Sequence, residues 1–471
     1  MRMKFEELAE KTISLARGKG VRFAEVRLER CSRAAIRVQD GRAESLSAGI
    51  SSGAGVRVLS GGTWGFASTE KLTARSLEKA LDQAIGLAVA AGRATRDGAD
   101  VGAVKPVRAF ERSEAREPLD LLDPAEKVKI ALSLEEAGRK AGGARIVNSL
   151  LRLSDLDSRE VIANTAGTLV AREDSRVSAY AQYFGRRDEL LQSALQVAAM
   201  RGGAELYRLL TPESLSLKAV AKVERLLASA PPPSGRFPVV FHPSITGLLV
   251  HEALGHNAEA DHVQTGQSVL AGKLGQKIAP DFVTIADDPA WPASYGSYAY
   301  DSEGTPARRK TIIERGRLAD LMHSLETAAH FGVEPNGSAR AEDYSSRPII
   351  RMSNTYLERG QTPVEELFRK AGRGVYLEDG HWGYVFVDKG QFTCHAGAAR
   401  WIEDGKPGEP LRDVSISGMI FDALRDIVAV GDDFEMEMPG HCGKSDQAMY
   451  INAGGPHVLV ADMVVGGEKE D

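Results

Sequence analysis

The spacing of apolar residues in the first part of the chain predicts one helix followed by strands. Residues 3–19 place apolar side chains three and four positions apart, which is the spacing of an amphipathic helix. Apolar and polar residues then alternate, as they do in half-buried strands, at 22–30, 33–39, 43–50 and 53–67. Two turn-forming pairs, Asp40-Gly41 and Gly61-Gly62, interrupt this alternation. The pattern predicts a small antiparallel sheet behind a helix.

Helical and strand-like spacing continue to about residue 230. Helices are predicted at 72–92, 124–141 and 213–229. The second of these begins with Asp123 as its cap and Pro124 in its first turn. Strand-like alternation returns at 145–185, where residues 164–168 are predicted to form a hairpin connection. Helices and strands in this arrangement predict an α+β fold for the first half of the chain.

A proline-rich segment at 231–235, with the sequence PPPSG, separates the two halves. Consecutive prolines form a stiff, exposed connector of the kind that joins domains. Residues 237–241 behind the connector predict a buried strand. We therefore expect an N-terminal α+β domain at 1–230 and a second domain at 236–471.

The second half is rich in glycine and in short strand-like segments. Apart from a short helix that includes residues 251–256, helices are expected only at 322–331 and 363–371. The sequence contains no short repeat of the solenoid kind. A β-rich C-terminal domain that carries one helix with candidate catalytic residues is therefore expected.

Composition and charge indicate an ordinary globular protein. The 471 residues are 43% hydrophobic and 26% charged, and 65 acidic against 59 basic residues give a net charge of -6. The sequence has no basic block with interleaved aromatic residues, so neither nucleic acid nor an anionic membrane is expected as a partner. No segment approaches the roughly 20 apolar residues of a membrane span, and the N-terminus lacks an apolar signal core, so a cytoplasmic protein is expected.

Two histidines and a glutamate occur within six residues as His251, Glu252 and His256. A helix with this combination is typical of hydrolytic zinc sites, in which imidazoles bind the metal and the carboxylate handles a proton of water. The spacing is HExxxH, so a regular helix would place the imidazoles about 140° apart, against about 40° in HExxH. Gly255 tolerates unusual backbone dihedrals, so we expect α geometry through Glu252 and its loss around Gly255 and His256.

A catalytic zinc site needs a third protein ligand. The candidate donors in the sequence are His242, Glu259, Asp261, His262 and the three cysteines, Cys31, Cys394 and Cys442. Such widely spaced cysteines do not indicate a disulfide framework. Cys442 has the most suggestive context, because glycines on both sides of its His441-Cys442 pair would let a thiolate approach an ion closely. A cysteine near Lys444 and a metal would also readily lose its proton.

Each of these residues also has a plainer interpretation. Cys442 could be a small buried apolar residue, and Glu252 an ordinary surface carboxylate. Glu259 and Asp261 could orient a ligand imidazole or could be solvated loop charges. The competing pair Cys394-His395 lies on a predicted strand, where adjacent side chains point to opposite faces and cannot easily share one ion.

Several ordered segments resemble the TldD/PmbA family, and within it the TldD-type metalloprotease subunit. The resemblance rests on HEALGH at 251–256, EAD at 259–261, YDSEGTP at 300–306, RMSNTY at 351–356, CGKSDQ at 442–447 and VVGG at 464–467. These segments span the second half in the order expected for the family. The length of the chain and its αβ first half agree with the resemblance.

The resemblance implies a set of roles for individual residues. His251 and His256 match the imidazole ligands of one Zn²⁺ per catalytic chain, Cys442 the thiolate ligand, and Glu252 the general base. The implied activity is hydrolysis of short or unfolded peptides by metal-activated water. The implied partner is a TldE/PmbA-type chain without the metal motif, in a heterodimer, or a second copy of this chain in a homodimer. The resemblance also implies that the domain at 1–230 serves substrate binding and dimerisation.

Two other functions are compatible with the same residues. One is a non-enzymatic binding or regulatory protein in which a metal is structural. Glu252 argues against this function, because a structural site needs no proton-handling carboxylate beside its ligand. The other is a metal-dependent amidase that acts on a non-peptide substrate, which needs the same polarised water as a peptidase.

Overall fold

The structure is a computed structural model that describes residues 4–92 and 98–467. Residues 1–3 and 468–471, at the ends of the two predicted domains, lie outside the described residues. Residue 3, the first residue of the first predicted helix, is among them. The elements of the first half are α1 (Phe5–Gly18), β1 (Phe23–Gln39), β2 (Arg42–Ser60), β3 (Thr63–Thr69), α2 (Ala74–Gly92), β4 (Arg108–Arg112), α3 (Pro124–Gly142), β5 (Ile146–Asn164), β6 (Leu169–Arg187), β7 (Leu190–Arg201), α4 (Glu205–Leu209) and α5 (Ser216–Ala228).

The first half forms one seven-stranded sheet in the order β3-β2-β1-β5-β6-β4, with β7 paired to β6 as well. The expected antiparallel sheet is present, and it is larger than its first segments because the later strands join it. The segments predicted at 22–30 and 33–39 form one continuous strand, which pairs with β2 on one side and β5 on the other. The pair β4–β6 is parallel.

Successive side chains of β5 alternate between the two faces of the sheet, and each face is covered by a different part of the chain. Leu151 and Leu153 face a hydrophobic core that also contains residues of α3 and α5. Arg152 and Ser154 point to the opposite face, which is turned toward the second half of the chain. A separate core packs α1 and α2 against the other end of the sheet. The capping box between Asp123 and Glu126 starts α3 where the sequence predicts it.

The second half contains shorter elements. They are β8 (Gly235–Phe241), α6 (Pro243–Leu249), α7 (Ala260–Gln264), β9 (Ile285–Asp287), β10 (Lys310–Glu314), β11 (Arg317–Leu318), α8 (Leu325–Phe331), β12 (Ala339–Arg340), β13 (Ile349–Ile350), β14 (Asn354–Leu357), α9 (Val364–Ala371), β15 (Gly374–Phe386), β16 (Gln391–Glu403), β17 (Lys406–Leu411), β18 (Val414–Met419), α10 (Ile420–Arg425), β19 (Ile427–Val430), β20 (Gly440–Lys444), β21 (Gln447–Gly454) and β22 (Val458–Gly466).

Two sheets organise these elements. Strands β15, β8, β22, β18 and β16 pair in a closed circuit, because β15 also pairs with β16. A six-stranded sheet has the order β11-β10-β9-β14-β21-β20. One hydrophobic core, which includes Phe241, Leu254 and Ile285, lies between the two sheets and the helical segment with the candidate site.

The α+β fold class is confirmed. Helices α8 and α9 occupy most of the two stretches predicted as helical in the second half. The connector at 231–235 joins α5 to β8, and its role as a domain boundary stays a prediction. Among the described residues, no helix combines the length and apolar character needed to cross a membrane.

Candidate metal centre

The segment with the two histidines is helical throughout, but its winding changes. Helix α6 ends at Leu249, a π-helical turn follows at Val250–Gly255, and a 3₁₀ turn follows at His256–Ala258. The backbone N–H of His256 donates to the carbonyl of His251, an i→i+5 bond that places residues five apart on one side. The two imidazole centroids therefore lie 5.3 Å apart.

Two details of the predicted distortion are wrong. The π turn begins at Val250, so α geometry is lost before Glu252 rather than after it. Gly255 has φ -54° and ψ -55°, values that any residue adopts. A glycine is needed at this position because Met352 packs closely against it, and an added Cβ would clash with Sδ of Met352.

Cys442 reaches the histidines from β20, 186 residues beyond His256. Strands β20 and β21 form a hairpin whose turn places Ser445 and Asp446 at positive φ. The buried guanidinium of Arg351 donates to the carbonyl of Gln447 at 3.0 Å and to the carbonyl of Cys442. This side chain therefore anchors both strands of the hairpin that carries the thiol.

The structure brings His251, His256 and Cys442 together as a group of candidate ligands. One ligand atom of each residue lies within 4.8 Å of the other two, and Sγ of Cys442 is 3.3 Å from Nε2 of His256. Among the described residues, the buried Nδ1 of His251 has no hydrogen-bond partner, and an unpaired buried nitrogen costs stability unless another group engages it. Two imidazoles and a thiolate are donors that zinc prefers, so these residues fit the implied metal.

Glu259 orients one of the two imidazoles. Its Oε2 lies 3.3 Å from Nδ1 of His256, which leaves Nε2 of that ring directed at Cys442. The same oxygen lies 3.1 Å from Nζ of Lys444. Burial of Glu259 opposes ionisation, but Lys444 and then His256 outweigh it and lower the pKa of this carboxyl to about 2. Glu259 is therefore ionised at neutral pH.

Cys442 and the neighbouring His256 stabilise each other's charged forms, the thiolate and the imidazolium. Burial of Cys442 acts to raise its pKa, but the adjacent His256 and His251 lower the pKa well below that of an ordinary thiol. Burial of His256 acts to lower its pKa, but Cys442 and Glu259 raise it well above that of an ordinary imidazole. The surroundings therefore favour the thiolate, which is the form that binds metals.

Glu252 lines the same cavity as the three candidate ligands. The cavity measures about 720 Å³ and lies between β7 of the first half and residues of β15 and β20 of the second half. Gly383 on β15 makes room for Glu252, because an added Cβ there would lie 2.8 Å from Cγ of the glutamate. The carboxylate is thus placed beside His251 at the wall of a space large enough for a substrate.

Other sequence-based candidates lie outside this group. His242 caps α6 through Nδ1, which accepts a hydrogen bond from the N–H of Ser244. Cys31 is buried on β1, and burial raises the pKa of its thiol to about 12. Cys394 is buried, while His395 stacks on Trp382 with centroids 3.9 Å apart, so the expected opposite facing of this pair is observed.

Glu259, Asp261 and His262 also come together, with donor atoms within 4.8 Å of one another. An ammonium group already balances the two carboxylates, because Nζ of Lys444 lies 2.6 Å from Asp261 and 3.1 Å from Glu259. The sequence interpretation placed Lys444 beside the thiol as a promoter of its ionisation. In the structure this lysine instead pairs with the acids behind His256.

Arg351 and Met352 act on the site although the sequence analysis gave them no individual role. Both belong to the RMSNTY segment that carried part of the resemblance. Neither spacing nor hydrophobicity reveals that an arginine is fully buried or that a methionine sulfur abuts Gly255. Only the fold brings these residues against the π turn and the β20–β21 hairpin.

Three family models together match most of the chain. They describe the PmbA/TldA metallopeptidase domain 1 at residues 24–88, the central domain at 117–227 and the C-terminal domain at 234–467. A metalloprotease of Methanothermobacter thermautotrophicus is 37% identical over 449 residues, covering 95% of this chain and 96% of the relative. The chain therefore belongs to the PmbA/TldA metallopeptidase family, which confirms the resemblance to TldD/PmbA proteins.

Other comparisons agree with this membership. A Saccharolobus solfataricus protein named zinc metalloprotease TldD homolog is 26% identical, with 97% of this chain and 99% of the relative covered. A Thermotoga maritima crystal structure, described as a proposed modulator of a DNA gyrase, superposes with a TM-score of 0.79 at 26% identity, covering 98% of this chain and 100% of that one. TldE of Thermococcus kodakarensis, with a TM-score of 0.76, 20% identity and coverage of 98% and 100%, shares the fold.

Proposed function

We propose that this chain is a zinc-dependent metallopeptidase that hydrolyses peptide bonds of short or unfolded peptides. The observation that carries the proposal is the convergence of His251, His256 and Cys442 within 4.8 Å at the wall of a cavity that Glu252 also lines. Catalytic zinc sites are typically held by three protein ligands, and these three side chains would provide that number. The zinc metalloprotease name of a relative supports the choice of metal.

The roles of the side chains follow from their positions. Bound zinc would supply Lewis-acid polarisation of water and of the scissile carbonyl. His251 and His256 would bind through neutral nitrogens, and Glu259 would hold the proton of His256 on Nδ1, away from the metal side. Cys442 would contribute a negative ligand. Glu252 would accept a proton from the attacking water and return it to the leaving amine.

The proposed substrate is a peptide in extended conformation. Strand β7 pairs with β6 along one side, and residues 193–197 of β7 line the cavity. A peptide that pairs with such a strand edge is held through its backbone, so most of its side chains contribute little to recognition. This arrangement favours unfolded chains over folded proteins as substrates.

The proposed assembly is a dimer with a TldE/PmbA-type chain or with a second copy of this chain. The shared fold of the TldE structure supports such pairing, because related subunits of one fold commonly assemble with each other. This chain contains the histidine pair and Cys442, so it would be the catalytic member, with one zinc ion.

The proposal is tested by comparing the wild type with Glu252→Gln, with and without the partner chain. We expect both proteins to contain one zinc, and we expect the variant to cleave an unfolded peptide at least about 100-fold more slowly. Glu437→Gln is the matched control, because Glu437 lines the same cavity without belonging to the ligand group. Undiminished cleavage by Glu252→Gln would rule out the base role of this residue.

A second comparison tests the thiolate ligand. Cys442→Ala should bind zinc at least about tenfold more weakly than the wild type in a chelator competition, because the site loses one of three ligands. Cys394→Ala is its control, since this buried cysteine is outside the ligand group. Equal zinc affinity of Cys442→Ala and wild type would remove the thiolate from the proposed set. If zinc-loaded wild type cleaves no peptide with either partner, the chain is not a peptidase.

A further inference from the structure

A second cavity adjoins the metal centre. It measures about 740 Å³ and lies over the sheet face of the first half that is turned toward the second half. Tyr180 and His441 line both this cavity and the one at the metal centre. His441 directly precedes Cys442 on β20. An extended chain at the metal centre can therefore continue into the second cavity.

Arginines from three adjacent strands line this second cavity. Arg33 lies on β1, Arg152 on β5 and Arg176 on β6. Arg152 lies opposite Tyr180 in the β5–β6 register, so it is next to the residue that both cavities share. Leu156 lies between the other two arginines, opposite Arg33 on one side and Arg176 on the other.

Arg176 is fully engaged within the protein. Its Nε lies 2.8 Å from Asp174, and its two terminal nitrogens donate to the carbonyls of Tyr295 and Ser297. The side chain is buried and joins the two halves of the chain. It is therefore not available to bind a further anion.

Arg33 and Arg152 differ from Arg176, because within residues 4–92 and 98–467 neither has a carboxylate partner. Nε of Arg152 donates to Oγ of Ser154 at 3.1 Å, and a terminal nitrogen of Arg33 lies 3.5 Å from Oγ of Ser51. A hydroxyl accepts one hydrogen bond of a guanidinium and contributes no negative charge. Glu29 and Asp343, which are outside the lining of this cavity, act on Arg33 without an ion pair. Both side chains can thus offer paired N–H groups to a ligand.

The cavity wall supplies no free negative charge that would compete. Asp155 is the one acidic residue among the described residues of the lining. It lies 2.7 Å from Nζ of Lys127 and accepts a hydrogen bond from the hydroxyl of Tyr207 at 2.9 Å. With this acid neutralised, the arginines give the cavity a positive potential beside the metal centre.

We propose that Arg152, with Arg33, forms a subsite that binds a carboxylate of the peptide substrate next to the metal centre. The carboxylate is either an acidic side chain or the C-terminal carboxylate of a short peptide. This assignment rests on the proposed peptidase function. Guanidinium groups bind carboxylates through paired hydrogen bonds, so the subsite adds charge selectivity at one end of an otherwise backbone-held peptide.

The test uses fluorogenic peptides that share one neutral core, with the zinc-loaded protein in its native assembly. One set places Glu or Gln at each position in turn, and the second ends in a free carboxylate or an amide. We expect a carboxylate at one position, or at the C-terminus, to raise kcat/KM about tenfold, as one charge-assisted contact does. The two sets distinguish the two sources of the carboxylate.

Arg152→Gln should abolish this preference, so that kcat/KM for the carboxylate-bearing peptide falls to that of its neutral counterpart. Arg152→Glu should reverse the preference toward Lys at the same position. Arg159→Gln is the matched control, because Arg159 lies on the same strand, is half exposed and pairs with Glu6 away from the cavity. This control should keep the wild-type preference.

Several results would overturn the subsite without touching the proposed function. The subsite is overturned if the wild type cleaves Glu and Gln peptides, and acid and amide peptides, with equal kcat/KM. It is also overturned if Arg152→Gln lowers kcat/KM equally for all peptides. A changed oligomeric state in Arg152→Glu, with unchanged selectivity, would assign this face to a subunit contact. If no peptide is cleaved, the proposed function fails. The subsite is then tested by fluorescence anisotropy with the same labelled peptides, and equal affinities for the carboxylate-bearing and neutral peptides would overturn it.

Discussion

Gly255 is required by what it touches rather than by its backbone angles. A side chain at this position would meet the sulfur of Met352, while φ and ψ lie in the ordinary helical region. The sequence indicated that a glycine beside His256 is needed for the HExxxH spacing. It could not indicate the reason, because the contact joins residues almost a hundred positions apart.

Gly255→Ala should weaken zinc binding at least about tenfold and destabilise the protein by roughly 1–3 kcal/mol, since an added methyl group must displace Met352 or the π turn. Chelator competition and urea unfolding measure the two effects. The double variant Gly255→Ala, Met352→Ala should recover part of the zinc affinity, because it removes the clashing sulfur.

Gly443→Ala is the control for this variant, because a Cβ at Gly443 meets nothing within 4 Å although the residue adjoins Cys442. It should bind zinc like the wild type. If Gly255→Ala also binds zinc normally, the close approach to Met352 does not constrain the site.

A buried histidine away from the candidate metal centre allows a prediction of how the stability of the protein depends on pH. His323 is 3% exposed, and burial, followed by the nearby Arg308, lowers its pKa from 6.5 to about 4. Between these pH values the unfolded chain binds a proton that the folded protein does not. This contribution to stability is therefore complete above pH 6.5 and is lost as the pH falls toward 4, by up to about 3 kcal/mol.

His323→Gln should therefore lose less stability than the wild type when the pH falls from 7.5 to 4.5. The measurement is urea unfolding of both zinc-free proteins at the two pH values. His330→Gln, which changes an exposed histidine nearby, should follow the wild type. Parallel loss of stability in His323→Gln and wild type would contradict the assigned pKa.

At the scale of elements, the site joins a π turn to a β-hairpin. The sequence predicted the helix around 251–256 and a departure from α geometry, because two ligands at i and i+5 cannot face one ion on a regular helix. It predicted the location of the departure only approximately. The hairpin of β20 and β21 depends on Arg351, whose role no local pattern reveals.

Arg351→Met should lower the free energy of unfolding by roughly 2–4 kcal/mol, because the carbonyls of Cys442 and Gln447 lose their buried donor. The hairpin would then hold Cys442 less firmly, so zinc affinity should also fall. Denaturant unfolding and chelator competition measure both effects. Arg309→Met, which changes a partly exposed side chain directly before β10 of the same sheet, is the control. Unchanged zinc affinity in Arg351→Met would show that the hairpin needs no such anchor.

At the scale of the molecule, charged side chains of the first sheet reach into the second half. Arg57 lies 2.9 Å from Glu25 on the neighbouring strand and 2.5 Å from Glu303 in the second half. Arg27 donates to the carbonyls of Asp343 and Ser346 at 2.6 Å each. These buried contacts couple the sheet that lines the cavity to loops of the second half of the chain.

Arg57→Met should lower the free energy of unfolding by about 3–5 kcal/mol, because Glu25 and Glu303 would remain buried without their cation. Scanning calorimetry should show one transition for the wild type and a single transition at lower temperature for the variant. Arg108→Met, at a 70% exposed side chain, should change little. Two separate transitions, of which only one shifts, would show that the halves unfold independently.

The sequence predicted the fold class, most helices and the family, because these depend on local spacing and on ordered segments. It did not predict that residues 23–39 form one long strand or that β15, β8, β22, β18 and β16 close a circuit. Those features depend on pairing between distant segments. For the same reason the arginine-lined cavity beside the candidate metal centre could not be predicted, since its arginines come from the separate strands β1, β5 and β6.

X-ray absorption at the zinc edge tests the central claim most directly, because it identifies the atoms bound to the metal. The zinc-loaded wild type should show one sulfur and two imidazole nitrogens from the protein, and Cys442→Ser should lose the sulfur. Cys394→Ser, at a buried cysteine outside the ligand group, should keep it. A wild-type spectrum with only nitrogen and oxygen ligands, or an unchanged sulfur signal in Cys442→Ser, would contradict the account.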